Sequence, residues 1–227
     1  WLFDDESVDV LRAFTQLMCR LMPYLFEAAR EAQAEGVPVM RAMPLEFPGD
    51  PACEGLDRQY MLGGSLLVAP VFSYDNTVSY YVPAGRWTHI LSGQSVSGPG
   101  WATETHAFDS LPLLARPNSV IAFGAEAERP DYDYAADLTL RAYELAEDEP
   151  VTVVIPALDG TQAARFTLSR SGNIVMAERS GATGPWRVQL MNVAVVESVQ
   201  GGSDERNVLG VILRVAAEVD RVRAVIR

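Results

Sequence analysis

Lysine is absent from the 227-residue chain; all eighteen basic side chains are arginine. That excludes Schiff-base chemistry, a lysine general base and the P-loop lysine. Only two cysteines, Cys19 and Cys53, and two histidines, His89 and His106, are present. A closed zinc site would need all four, and their spacings match no ligand pattern, so no metal or cofactor is implied. Two cysteines do not make a disulfide framework, which favours a reducing compartment and a cytoplasmic location. Thirty acidic residues against eighteen basic ones leave a net charge of −12. A nucleic-acid partner is disfavoured, because it would require a cationic face. The opening WLFDDESVDV is too acidic for a signal peptide or a membrane span, so no membrane partner is expected.

What is present is a folded chain, 48% hydrophobic and 21% charged. Residues Glu6 to Glu35 read as one helix: Val8, Leu11, Phe14, Met18, Leu21, Met22, Leu25, Ala29 and Ala32 recur every three or four positions. Asp4, Asp5 and Glu6 sit at its positive end, and Gly36 and Pro38 close it. Pro23 removes a ladder hydrogen bond and predicts a kink or break. Val37 to Phe47 (VPVMRAMPLEF) reads as a buried strand, followed by the Gly/Pro-rich connection FPGDPACEGLDRQYMLGG. From Ser65 onward short strands separated by turn clusters predict an antiparallel sandwich, and a second strand-rich module follows the polar stretch AEAERPDYD. One helix–strand pair cannot cover its own sheet, and the chain opens at Trp1 in mid-pattern. More sheet is therefore expected upstream.

Few constellations could carry chemistry. His106, Asp109 and Ser110 lie close in sequence, but no nucleophile-elbow glycines flank Ser110, and the plain reading is a polar strand edge. His89 reads as a structural histidine bonded to backbone. Paired carboxylates suit glycoside hydrolysis, with Asp4, Asp5, Glu46, Asp50 and Asp57 as candidates. Asp4 and Asp5 are better explained as helix-entry charges, and Asp57 as an ion pair or loop anchor with Arg58. Glu46 ends an apolar strand, where a barrel enzyme places active-site groups, though a structural hydrogen-bonding role is the alternative. Tyr80, Tyr81, Tyr132 and Tyr134 fit a core, whereas Trp87 and Trp101 could also stack sugar rings.

Four segments in order, DDESVDVLRAFTQLMCRLMPYL, RAMPLEFPGDPACEGLDRQYMLGGSLLVAPVF, VSYYVPAGRWTHILSG and HAFDSLPLLARPNSVIAFG, resemble the C-terminal part of glycoside hydrolase family 31, most closely its α-xylosidases of bacteria. The resemblance implies an α/β barrel remnant (last helix and strand of a (β/α)8 barrel) over residues 1–64. A proximal β-sandwich module would span 65–127 and a distal one 128–227. It implies a retaining mechanism with two catalytic aspartates upstream, so no residue here is assigned a catalytic role and the chain alone should be inactive. Glu46 and Phe47 are the substrate-binding candidates. The implied partner is an α-xyloside or related oligosaccharide, bound mainly by upstream residues, and a homo-oligomer is compatible with the modules. Gly63-Gly64 departs from the family, where the second position usually carries Asp or Asn. The rival readings are an α-glucosidase and a non-catalytic carbohydrate-binding or oligomerisation module.

Overall fold

The computed structural model describes residues 4–227; the opening Trp1, Leu2 and Phe3 lie outside the described residues. Helix α1 runs over Asp5–Glu35. The Asp4 carboxylate caps it, accepting from the Ser7 N–H at 2.8 Å, and Gly36 ends it in the left-handed region at φ 76°. Of the expected kink or break, the break does not occur: the helix continues through Pro23. Proline has no N–H to give the Cys19 carbonyl one turn earlier. The buried Tyr132 hydroxyl donates to that carbonyl at 2.7 Å, and the Gly124 N–H donates to the next one, Arg20, also at 2.7 Å. A tertiary contact thus replaces the lost ladder bond.

The segment Val37–Phe47 is not one buried strand. It forms a three-residue strand β1 (Met40–Ala42), exposed on alternate residues, and a single helical turn α2 (Met43–Glu46). Pro44 lies in the first turn of α2, where its missing N–H costs nothing and its fixed φ favours the helix. Strand β1 pairs antiparallel with β2 (Tyr60–Leu62). The described residues contain no parallel barrel strand beside it, so they show α1 and β1 but no barrel.

The following strands are β3 (Leu66–Val68), β4 (Thr77–His89), β5 (Ser95–Thr105) and β6 (Leu113–Ala115). With β1 and β2 they form one antiparallel sheet in the order β1-β2-β3-β6-β4-β5. Then come β7 (Ser119–Phe123), β8 (Thr139–Tyr143), β9 (Val151–Pro156), β10 (Gln162–Ser171), β11 (Ile174–Gly181) and β12 (Trp186–Met191). The last four are β13 (Val196–Gln200), β14 (Ser203–Asn207), β15 (Gly210–Val215) and β16 (Arg221–Ile226). They build two sheets, β13-β16-β11-β10-β9 and β14-β15-β12-β8-β7, the second containing one parallel pair, β8 with β12. Side chains of both inner faces meet in one core around Phe166 and Trp186, the arrangement of a β-sandwich.

Strand β7 joins the two halves. It falls within the stretch assigned by sequence to the proximal module, yet it is hydrogen-bonded to β8 of the distal sandwich. Its period-two alternation explains why every residue is buried. Val120 and Ala122 enter the sandwich core, whereas Ile121 and Phe123 enter a second core with Leu66, Val68, Leu113 and Leu21 of α1. Met22 and Phe26 of the same helix pack on the sandwich core. The expected apolar stripe of α1 is only partly covered: Leu11 and Met18 are 70% and 50% exposed.

Candidate functional site

Glu46 ends α2, and the fold closes two arginines on it. Arg41 Nη1 donates to Glu46 Oε1 at 2.6 Å, and Arg116 Nη1 donates to Oε2 at 3.1 Å. Arg41 is buried; its Nη2 reaches Glu31 of α1 at 2.5 Å and its Nε the Pro38 carbonyl at 3.0 Å. Burial alone would lower the Arg41 pKa, but the bonds to Glu46 and Glu31 outweigh it and raise it. Arg116 also bonds the Gly64 carbonyl at 2.8 Å, and its guanidinium lies 4.7 Å from the centre of the half-buried Phe47 ring. Phe47 in turn leans on Trp87 at 6.1 Å. Both Glu46 oxygens are engaged by guanidinium groups, an arrangement that suits a clamp and not a proton donor.

Beside this clamp, α1, the Gly64–Ser65 turn and β9 enclose a cleft of about 380 Å³ lined by Tyr24, Glu27, Glu31, Arg116 and Asn118. Gly63, at φ 59°, packs against the Tyr24 of that lining: a Cβ there would stand 2.4 Å from the Tyr24 hydroxyl. That hydroxyl donates to the Leu62 carbonyl at 2.6 Å and accepts from the Ser65 N–H at 2.9 Å. At Gly64, a Cβ would lie 3.4 Å from Arg41 Nη1. An acid at this position could reach Arg41; here Glu46 and Glu31 neutralise it.

A second polar cluster was only half visible in the sequence. Ser110 Oγ lies 2.7 Å from His106 Nδ1, and His106 Nε2 lies 2.9 Å from Glu104 Oε2. The acid of this Ser–His–carboxylate chain is Glu104, not Asp109, which is exposed. Glu104 Oε1 also accepts from Tyr80 at 2.7 Å and meets His89 Nε2 at 3.1 Å. His89 is therefore satisfied by a carboxylate and not by backbone. Burial pushes Glu104 up, but Tyr80 and the two imidazoles more than offset it and hold its pKa below the usual value. A carboxylate shared by three donors knits β4 to β5; sequence spacing missed it because Glu104 belongs to the opposite strand from Tyr80 and His89.

The other candidates separate. Asp5 lies in the first turn of α1. Asp50 caps a short 3₁₀ turn and accepts from Tyr81 at 2.8 Å. Asp57 and Arg58 are exposed, and no ion pair joins them among the described residues. Trp87 is fully buried, its indole N–H donating to the Pro83 carbonyl at 3.0 Å, so it cannot stack a sugar. Trp101 remains 65% exposed, edge-on to Tyr81 at 5.9 Å. Among the described residues no group of three or more His, Cys, Asp or Glu side chains could hold a metal ion. No described helix is long and apolar enough to cross a membrane.

An antiparallel sheet and a two-sheet sandwich, joined through helix α1 and strand β7, make this a β-rich region. Residues 36–121 match the model of the glycosyl hydrolase family 31 C-terminal domain, and residues 133–226 that of the α-xylosidase YicI C-terminal domain. The chain belongs to glycoside hydrolase family 31 and corresponds to its C-terminal region. It is 35% identical over 81% of its length to the α-xylosidase XylQ of Lactiplantibacillus pentosus, covering 24% of that protein. It is 42% identical over 58% of its length to an α-xylosidase of Emericella nidulans, covering 18% of it. The chain thus spans about a quarter or less of these relatives. The fold superposes on a Flavobacterium johnsoniae GH31 dextranase complexed with isomaltotriose, with a TM-score of 0.84 and 21% identity over all of this chain and 34% of that one. α-Glucosidases are also similar, for example at 26% identity over 67% of the chain.

Proposed function

We propose that this chain is the non-catalytic C-terminal part of a retaining α-glycosidase that releases terminal α-linked xylose. The observation that carries the reading is the match of both β regions, in order, to the C-terminal models of one family, the second of them an α-xylosidase model. In this reading the two catalytic carboxylates belong to an upstream barrel, which α1 and β1 help to close. The exposed apolar side chains of Leu11 and Met18 on α1, of Met40 in β1 and of Leu45 in α2 supply a face for that barrel. Glu46 and Phe47 act as positioning residues: the Arg41–Glu46–Arg116 clamp fixes the segment after β1 and aims it towards the substrate.

The test is a chimera in which this chain replaces the matching quarter of the L. pentosus α-xylosidase. It should hydrolyse an aryl α-xyloside, as expected if this chain completes the barrel of such an enzyme, while the isolated chain turns over neither that substrate nor an aryl α-glucoside. Turnover by the isolated chain, abolished by a substitution within it, would sink the proposal. The similarity to α-glucosidases supports a second reading, an α-glucosidase, for which preference of the full-length protein for the aryl α-glucoside would speak.

A further inference from the structure

We propose that the solvent face of the β4–β5 hairpin is a binding surface for a neutral oligosaccharide, centred on Trp101 and separate from any catalytic pocket. The choice of ligand class draws on the glycosidase reading; the surface itself is defined by its own geometry. Trp101 leaves most of its indole in water, an arrangement that loses the stabilisation of burying a large apolar ring. It is nevertheless held in place. Its support, Tyr81, is fixed at three points: the buried Gln59 amide accepts from the Tyr81 N–H at 2.7 Å and donates to its carbonyl at 2.8 Å, and Asp50 holds the hydroxyl at 2.8 Å. A platform ordered in advance loses little freedom when a ligand lands on it.

The cross-strand register continues the site. Tyr81 faces Trp101, Ser79 faces Thr103 and Thr77 faces Thr105, so all six share one face, on which Tyr81 is buried as the support and the other five reach solvent. The Ser79 and Thr103 hydroxyls lie 2.8 Å apart, and those of Thr77 and Thr105 3.5 Å apart. At the rise of an antiparallel strand, Trp101 to Thr105 spans about 13 Å, the reach of a short oligosaccharide and longer than one sugar ring. An exposed indole offers its face to the C–H surface of a pyranose, and paired hydroxyls both donate and accept, as sugar hydroxyls require. None of these six side chains is charged at neutral pH, and the chain carries −12, so an uncharged polyol fits and an anionic polymer does not.

Binding is read by isothermal titration calorimetry, because Trp101→Ala would remove the indole that a fluorescence signal depends on. The full 227-residue chain is titrated with isomaltotriose and with a xyloglucan heptasaccharide. The expected result is a saturable heat of binding with a Kd on the order of 1 mM for at least one of them, weakened about tenfold or more by Trp101→Ala. Thr103→Val, which removes a hydroxyl at nearly constant volume, should weaken it several-fold, and Trp101→Phe should retain part of it. Circular dichroism checks that each variant folds. No saturable response, or a response unchanged in Trp101→Ala and Thr103→Val, overturns the proposal. So does shielding of Trp101 by dimerisation through the edge strand β5. The chimera keeps this test distinct from the family reading: Trp101→Ala should leave its aryl xyloside hydrolysis intact. Loss of hydrolysis in the unsubstituted chimera, with oligosaccharide binding retained, would strike the glycosidase reading and spare this surface.

Discussion

Replacing Glu46 by glutamine keeps the shape of the clamp and removes its negative charge. The magnitude follows from the partners left behind. Glu46, Arg41 and Arg116 are 14%, 5% and 29% exposed at their side chains, so solvent screens the pair weakly. Breaking a buried ion pair from one side costs about 3–5 kcal/mol when the other charge is orphaned. Here neither cation is: Glu31 stays on Arg41 at 2.5 Å, and the Gly64 carbonyl stays on Arg116 at 2.8 Å. The loss should therefore fall to about 2 kcal/mol, the value of a charged hydrogen bond. For a chain of this size that lowers the melting temperature by roughly 4–8 °C. Differential scanning calorimetry of Glu46→Gln, Arg41→Ala and Asp57→Asn should rank the losses. Arg41→Ala, which takes a guanidinium partner from Glu31, Glu46 and the Pro38 carbonyl at once and leaves Glu46 only Arg116, should be worst, and Asp57→Asn should be indistinguishable from the parent. Molar salt should leave the ranking intact, since buried pairs escape most screening. If Glu46→Gln melts within about 1 °C of the parent, or if salt erases the difference, the clamp is not what orders this segment.

Alkaline pH should unfold the chain early. Burial pushes the Tyr24 and Tyr143 hydroxyls up to about 12; the Ser65 N–H offsets part of the rise at Tyr24, and the positive charge of Arg141 offsets part of it at Tyr143. Both pKa values lie above the unfolded value of about 10, so the stability linked to the neutral phenols is fully present below pH 10 and lost as pH rises through about 12. Among the described residues the buried Tyr143 hydroxyl has no hydrogen-bond partner. Tyr143→Phe should therefore be neutral or stabilising at about pH 7 and should shift the alkaline transition, followed by circular dichroism, to higher pH. A large loss at neutral pH would contradict this. Gly63→Ala adds a Cβ against the Tyr24 hydroxyl and forces a side chain into the left-handed region, for a loss of about 2 kcal/mol. Urea denaturation should show that loss to be smaller in a Tyr24→Phe background, because the clashing oxygen is gone; strict additivity would argue against the contact.

The sequence alone determined most local elements and their kind, although not the helical turn α2 inside the stretch Val37–Phe47. Periodicity and end signals marked α1 almost to the residue, alternation marked the strands, and ordered motifs led to the family. These depend on neighbours along the chain. Only the tertiary structure decided how the elements are used. It bonded the Cys19 carbonyl to Tyr132 and so carried α1 through Pro23, and it turned β7 into the shared wall of two cores. It closed Arg41 and Arg116 on Glu46 from positions five and seventy residues away, and chose Glu104 over Asp109 for the histidines. It also buried Trp87 while leaving Trp101 in water. Each outcome depends on distances between groups remote in sequence, and hydrogen bonds and burial are set by those distances and not by spacing along the chain.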